Sequence, residues 1–576
     1  MTAPSAAAIS PRWRVVARDG EDAVVMTIGT DLEVDAVERR PRDAWWDGDD
    51  TARWIWSDTA RWYPALLREG VAVARCHDLR LSHAILRGSA LVTDASDLRT
   101  ATRWDTAFEE PAAAPAPAAP TLFEVEEPAS SGVPDDPDET LAEFRRQQRA
   151  LREASDPARL RLLLAAESAG ALLAAEMHAA GLPWDRATHE AILEDALGPR
   201  PGPGESPERV RALAAQVRAA LGDPSASLDS QPKLLRSLHR VGVSAESTSR
   251  WELGEYDHPA IAPLLAYKKL TRLMSANGWG WLDEWAADGR FRPVYVPGGV
   301  VTGRWASSGG GALQIPRQLR PAVRADPRWR LVVADVAQLE PRGLAAMASD
   351  EAIAAAARGQ DLYEGIVASG VVRTRQEAKI AVLGAMYGAT TGDSGRLVPA
   401  LRRAYPRAMG LVDAAAVTGE QGGIVSTWLG RSSPPASPPW REIQSAAALP
   451  DATEVDRTRA RRSARDRGRF TRNFVVQGTA AEWALAWLAD LRSRLAALPI
   501  VDDAAAAPRS GAIFGRRAHV AFFLHDEIIV HTPAVHADAV ADAVVQAAAA
   551  AARLLFGAFP IDFPLDLRIG DDAAKG

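Results

Sequence analysis

Apolar and polar positions follow two rhythms along this chain. Near the start, Trp13-Arg-Val-Val-Ala and Ala23-Val-Val-Met-Thr-Ile are short runs of β-branched and aromatic residues, which predict strands. Apolar residues at helical spacing predict helices over residues 61–67 and 79–86, and a long helix over 151–180 closed by Gly181-Leu-Pro183. Two later runs read as buried strands that each deliver a carboxylate where they end or turn. They are Arg330-Leu-Val-Val-Ala-Asp335 and His519-Val-Ala-Phe-Phe-Leu-His525-Asp526-Glu527-Ile-Ile-Val-His531. Between them Arg375, Lys379, Leu383 and Tyr387 recur at every fourth position. On an α-helix each such step advances about 40° around the axis and ~6 Å along it, so the four side chains form a band down one face. Pro341 falls early in the helix expected after Asp335, where a missing N–H costs little.

Composition sharpens the boundaries. The run Pro111-Ala-Ala-Ala-Pro-Ala-Pro-Ala-Ala-Pro120 builds no core and predicts an extended linker, placed at residues 109–143, behind a small Trp-rich unit at 1–108. A chain of 576 residues, 47% hydrophobic, implies several domains with sizeable cores. No apolar stretch is expected to span a membrane, and the first residues lack a secretory pattern. A single cysteine, Cys76, excludes an intramolecular disulfide framework and suits a reducing cytoplasm. The net charge of −7 argues against a nucleic-acid partner until its distribution is considered. Residues 106–143 hold ten acids and no Lys or Arg, so the remainder carries +3. Eight Arg and one Asp lie between Arg457 and Arg472, a run able to track a phosphate backbone. Alone, that run reads rather as a solvated helix or a disordered loop.

Asp335 and Asp526 suit a phosphoryl-transfer centre, because two carboxylates brought together can hold two Mg²⁺ ions across an in-line displacement. A lone Asp at a strand end is otherwise a cap or turn residue. Arg375 offers a fork for phosphate oxygens, Lys379 a compact charge that can donate a proton, and Tyr387 a flat face for a base or sugar. By itself this helix reads as a solvated surface helix.

Taken in order, these blocks resemble family A DNA polymerases, of the DNA polymerase I type. Thr302-Gly303-Arg304 through Gln314-Ile315-Pro316 resembles the primer-strand segment, and Asp335-Val-Ala-Gln338-Leu-Glu340-Pro-Arg342 the first metal motif. Arg375 to Gly388 resembles the fingers helix, Gly423 to Arg431 a hairpin late in the fingers, and Arg469 to Gln477 a template-contacting helix. His525-Asp526-Glu527 resembles the second metal motif. The resemblance runs from about residue 144 to the C-terminus. It implies an α+β multidomain chain: a right-hand polymerase with a thumb near 205–290, a palm near 291–349 and 471–576, and fingers near 350–470. It also implies two Mg²⁺ ions, with Mn²⁺ as an alternative, held by Asp335, Asp526 and the Val336 carbonyl, with Glu527 in support. Arg375 and Lys379 would grip the dNTP triphosphate, Lys379 protonating the leaving group. Glu340, Gln338, Tyr363, Leu383 and Tyr387 would shape the nucleotide pocket, Glu340 excluding a 2′-hydroxyl. Primer–template DNA would meet Arg304, Gln314, Arg469, Asn473, Gln477, His525 and, on the thumb, Lys269 and Arg272. The expected enzyme is a monomeric cytoplasmic, nucleoid-associated polymerase of repair or gap filling; a sliding-clamp partner is not readable.

Several positions depart from the family pattern. Leu383 replaces an aromatic, Val336 a tyrosine, Tyr363 a histidine and Phe523 a polar residue, and Gly309-Gly-Gly stands where polar groups are common. By position and size, residues 1–108 resemble a degenerate, ribonuclease-H-like 3′–5′ exonuclease domain, in which Asp31-Leu-Glu33 supplies one Asp-x-Glu and no Tyr-x-x-x-Asp element occurs before the linker. Proofreading is expected to be absent, and no 5′-nuclease domain is expected ahead of it. The competing expectations are a non-catalytic DNA-binding scaffold, against which the intact acids and cations argue, and a single-subunit RNA polymerase, against which Gln338 and Glu340 argue.

Overall fold

Strand alternation builds the N-terminal part. In the computed structural model, which describes residues 13–49, 51–105, 132–308, 310–311, 315–388 and 392–574, five strands form one sheet. They are β1 (Trp13–Asp19), β2 (Asp22–Ile28), β3 (Val34–Pro41), β4 (Arg53–Trp56) and β5 (Cys76–Asp78), in the order β3-β2-β1-β4-β5. The first three pair antiparallel, and β4 and β5 add in parallel. Val16, Val25, Trp54 and Trp56 face one core, while Val15, Ala17, Val24 and Ile55 face the other, as a period of two requires. The first core also takes Leu172, Ala180, Ile513 and Phe514 from far along the chain. The sheet therefore belongs to one compact unit with residues 132–180, 293–308 and 327–570.

Helix enters the stretch expected to be linker. Helix Pro137–Glu153 begins inside residues 109–143; the Asp136 side chain accepts the Glu139 N–H at 3.0 Å, Pro137 starts the first turn, and Asp138 and Glu139 sit at the positive end of the helix dipole. Of the acids read as part of the linker, Asp136, Asp138 and Glu139 belong to this helix start. The helix expected over 151–180 is broken: Pro157 starts a second helix, Pro157–Ala180, and the residue before a proline is steered out of α geometry.

A second sheet lies in the same unit. Strands β6 (Trp329–Val336), β7 (His519–Leu524), β8 (Glu527–Pro533) and β9 (Leu565–Gly570) are antiparallel in the order β7-β8-β6-β9. Helix Ala537–Phe556 packs Val540, Val544, Ala547, Ala548 and Ala551 inward, and Trp487 on the long helix Glu454–Ala496 donates to the Val544 carbonyl at 3.1 Å. The span Ala534–Phe556 is, by length and composition, apolar enough to cross a membrane, contrary to the sequence expectation. Its acids, Asp538 and Asp542, cluster at one end and leave a charge-poor remainder.

Helices Arg375–Tyr387, Gly392–Ala404 and Pro406–Glu420 surround the N-terminal half of the long helix, around a core of Ile366, Val382, Met386, Leu401, Val412 and Phe474. The expected fingers–palm boundary at residue 470 falls within this single long helix.

A second compact unit comprises Gly181–Arg292, Gly309–Asp326 and Asp571–Gly576. The expected thumb lies inside these wider limits. Trp184, His189, Trp281 and Phe291 form its aromatic centre, and Lys269 and Arg272 are exposed on helix Ile261–Asn277.

Candidate active site

The two carboxylates meet because strand β6 lies beside the β7–β8 hairpin. Asp335 is directly opposite Glu527 in the β6–β8 register, and the Val336 N–H donates to the Asp526 carbonyl at 2.9 Å. Asp526 sits in the tight turn joining β7 to β8, its N–H bonded to the Leu524 carbonyl at 2.6 Å. His525 supplies the reversal with φ 56°, and Gln338, just past β6, has φ 51°. Residues with a Cβ seldom adopt that region, and such strain collects at functional sites. Burial, and next the Asp335 charge, pushes the Asp526 carboxyl up to about 6. The arrangement stores like charge that a divalent cation would relieve. Among the described residues no group of three or more His, Cys, Asp or Glu is arranged so that it could hold a metal ion.

A pocket of about 220 Å³ adjoins this pair, lined by Arg304, Gln338, Glu340, Tyr387, His525 and Asp526 among others. Glu340 is its hub, accepting from the Tyr387 hydroxyl and from the Arg304 guanidinium. Burial, then the Glu340 charge, raises the Tyr387 hydroxyl above its ordinary range, so it stays a donor. Burial, then Arg304, lowers His525. Phe523, where a polar residue was expected, packs edge-on against Trp305 at 5.1 Å and carries two backbone bonds to the Tyr295 hydroxyl.

A second cluster forms beside it. Asp361 caps helix Leu362–Ala368 through the Tyr363 and Glu364 N–H groups, and its other oxygen accepts from Arg375 at 2.8 Å and Gln338 at 2.9 Å. The Arg375 guanidinium lies 5.4 Å over the Tyr363 ring, whose hydroxyl burial pushes up to about 12. Arg375 is thus engaged, whereas Lys379 is exposed. Leu383 is half-buried against the helical core. Of the proposed DNA contacts, Arg469 is exposed and pairs with Asp466, Asn473 and Gln477 are half-buried on the long helix, and Gln314 lies outside the described residues.

Two acids escaped the sequence reading. Asp361 looks like any helix cap, and only its second oxygen makes it an anchor. Asp566 on β9 stands directly opposite Asp335, so Glu527, Asp335 and Asp566 form one cross-strand row. Only strand order could have shown that.

Residues 208–573 match the profile of DNA polymerase family A. DNA polymerase I of Chloroflexus aurantiacus is 29% identical over 44% of this chain and 28% of its own length. The thermostable DNA polymerase I of Thermus thermophilus is 26% identical over 63% of this chain and 43% of its own. The chain thus matches less than half the length of these relatives. Among solved structures, the POL domain of Pol1 from M. smegmatis, in complex with DNA primer-template and dNTP, superposes with a TM-score of 0.66 at 16% identity, over 98% of this chain and 96% of that one. At that identity the likeness is one of fold. With more than half of its length in the family match, the chain belongs to DNA polymerase family A.

Proposed function

We propose that this chain is a template-directed DNA polymerase that adds dNTPs to a primer 3′ end by metal-assisted phosphoryl transfer, in repair or gap filling. The observation that carries this reading is the convergence of Asp335 and Asp526 beside a pocket walled by Arg304, Glu340 and Tyr387. Two divalent cations, Mg²⁺ or Mn²⁺, would be held by Asp335 and Asp526, with the Val336 carbonyl as a further ligand, and would activate the primer hydroxyl and neutralise charge on the transferring phosphoryl group. The side chains do the positioning. Arg375 exchanges Asp361 for the triphosphate, and exposed Lys379 offers the proton for the leaving pyrophosphate. Glu340, fixed by Arg304 and Tyr387, closes the space beside the sugar C2′ and favours a deoxynucleotide. Tyr387 stacks beside the template base, while His525, Arg304, Gln477 and Asn473 face the duplex.

The strand order β3-β2-β1-β4-β5 supports a ribonuclease-H-like N-terminal domain, and the engagement of its acidic pair supports reading it as one without nuclease activity. Asp31 caps its own turn through the Glu33 N–H at 3.1 Å, and Glu33 pairs with Arg145 at 3.0 Å. A monomer in the cytoplasm completes the reading. The test is primer extension with Mg²⁺. Wild type should extend with dNTPs and far less with rNTPs. Asp335→Ala and Asp526→Ala should each abolish extension while primer–template affinity, carried by phosphate contacts elsewhere, stays within a few-fold. Near-normal extension by either variant would refute the site.

A further inference from the structure

We propose that Glu167, on helix Pro157–Ala180, is a positioning residue for the Arg304–Glu340 wall of the nucleotide pocket, acting through Arg431 and the turn at Gly303. The inference rests on the polymerase reading above.

Glu167 is 1% exposed, and its Oε2 accepts from Arg431 Nη2 at 2.8 Å. Its Oε1 is buried without a hydrogen-bond partner. The Arg431 side chain in turn crowds Gly303: a Cβ built there would sit 2.5 Å from Nε and 3.0 Å from Cζ. Gly303 has φ +86° and closes a turn in which its N–H bonds the Val300 carbonyl at 2.8 Å, while the Val300 N–H returns to the Arg304 carbonyl at 3.0 Å. On its other side the turn rests on the long helix, where a Cβ on Gly478 would fall 3.0 Å from the Thr302 carbonyl oxygen. Backbone is thus gripped between a guanidinium and a helix. The next residue, Arg304, leaves the turn to reach Glu340, which holds Tyr387. A shift of Arg431 toward Gly303 would press on the turn that aims Arg304.

Stability alone does not account for this pair. The segment carrying Arg431 is already anchored by Glu482, which accepts from the Thr427 hydroxyl and from the Leu429 N–H at 2.8 Å. Glu167 makes no bond to that segment's backbone. A buried ion pair commonly gains little over an apolar pair of the same shape, because both charges lose their water. What the pair does supply is a fixed place for a guanidinium.

The experiment is a double-mutant cycle on the full chain, reading single-nucleotide incorporation with Mg²⁺ and a primer–template, alongside the thermal midpoint. Glu167→Gln should lower kcat at least about fivefold in the wild-type background and less than about twofold in an Arg304→Ala background, because its effect passes through Arg304. Glu167→Leu/Arg431→Met removes both charges of the pair together, so at a pH below about 7, where Glu482 holds its proton, it should keep a near-wild-type midpoint and still show the loss of kcat. Equal losses in both backgrounds, or wild-type kcat in the charge-free double variant, would overturn the role of Glu167 and leave the polymerase reading intact. A wild-type chain that fails to extend any primer would overturn that reading itself.

Discussion

Arg375 shows how a single side chain can be both legible and misread. Its helical spacing to Lys379, Leu383 and Tyr387 is plain in the sequence, but its resting partner is not. Asp361 holds it at 2.8 Å, and that contact, first among its influences, strengthens its charge. On the proposed reading a triphosphate would take over from this carboxylate, a like-for-like exchange of charge-assisted bonds. Arg375→Ala should therefore raise the dNTP KM, or lower kcat, by at least about tenfold, roughly 1.4 kcal/mol of lost transition-state stabilisation. Duplex affinity should barely move. If steady-state kinetics stayed unchanged while duplex affinity fell, the helix would instead be a backbone grip. Asp335 and Asp526 were readable because apolar runs deliver them. Asp361 and Asp566 were not, since one has the sequence context of an ordinary cap and the other gains meaning only from the β6–β9 register.

Elements were legible where pattern and packing agree, as in strands β1, β2 and β6, and illegible where capping chemistry outweighs composition, as at Asp136-Pro137. The long helix adds a case that no pattern discloses. Glu482 lies at its middle, 1% exposed, receiving Thr427 and Leu429 from the segment that carries Arg431. Burial pushes its carboxyl up from 4.5 to about 7, against the lowering effect of those two donors. A raised folded-state pKa means that the native chain binds the proton more tightly than the unfolded chain. The resulting stability is fully present below the unfolded value of 4.5 and is lost as pH rises through about 7. At about 1.4 kcal/mol per unit, the swing is on the order of 3 kcal/mol. Glu482→Gln should flatten this part of the stability profile between those limits, read as the pH dependence of the urea midpoint. A variant whose profile keeps the wild-type slope would mean that Glu482 is ionised throughout.

At the scale of the molecule, the N-terminal sheet is built into the polymerase body rather than hung from it. Arg492, at the far end of the long helix, pairs with Glu176, which accepts from the Tyr63 hydroxyl at 2.6 Å, and also donates to the Val73 and Ala74 carbonyls. Asp78, at the end of β5, donates its N–H to Ser168 on helix Pro157–Ala180 at 3.1 Å. These contacts make this end of the N-terminal sheet a joint to the rest of the unit. The acids there are engaged: Asp58 pairs with Arg80 at 2.7 Å, Asp78 caps helix Leu79–Leu86, and Asp135 pairs with Arg18 at 3.0 Å. A guanidinium beside a carboxylate cancels the charge that a metal needs, and two-metal hydrolysis without its ligands loses most of its transition-state stabilisation. A mismatched primer 3′ end should therefore persist when the chain is incubated with Mg²⁺ and no dNTP, followed by gel electrophoresis of the labelled primer. Excision by wild type that disappears on Asp58→Ala or Asp31→Ala would show that these acids still gather a metal despite the arginine beside Asp58 and the turn that Asp31 caps.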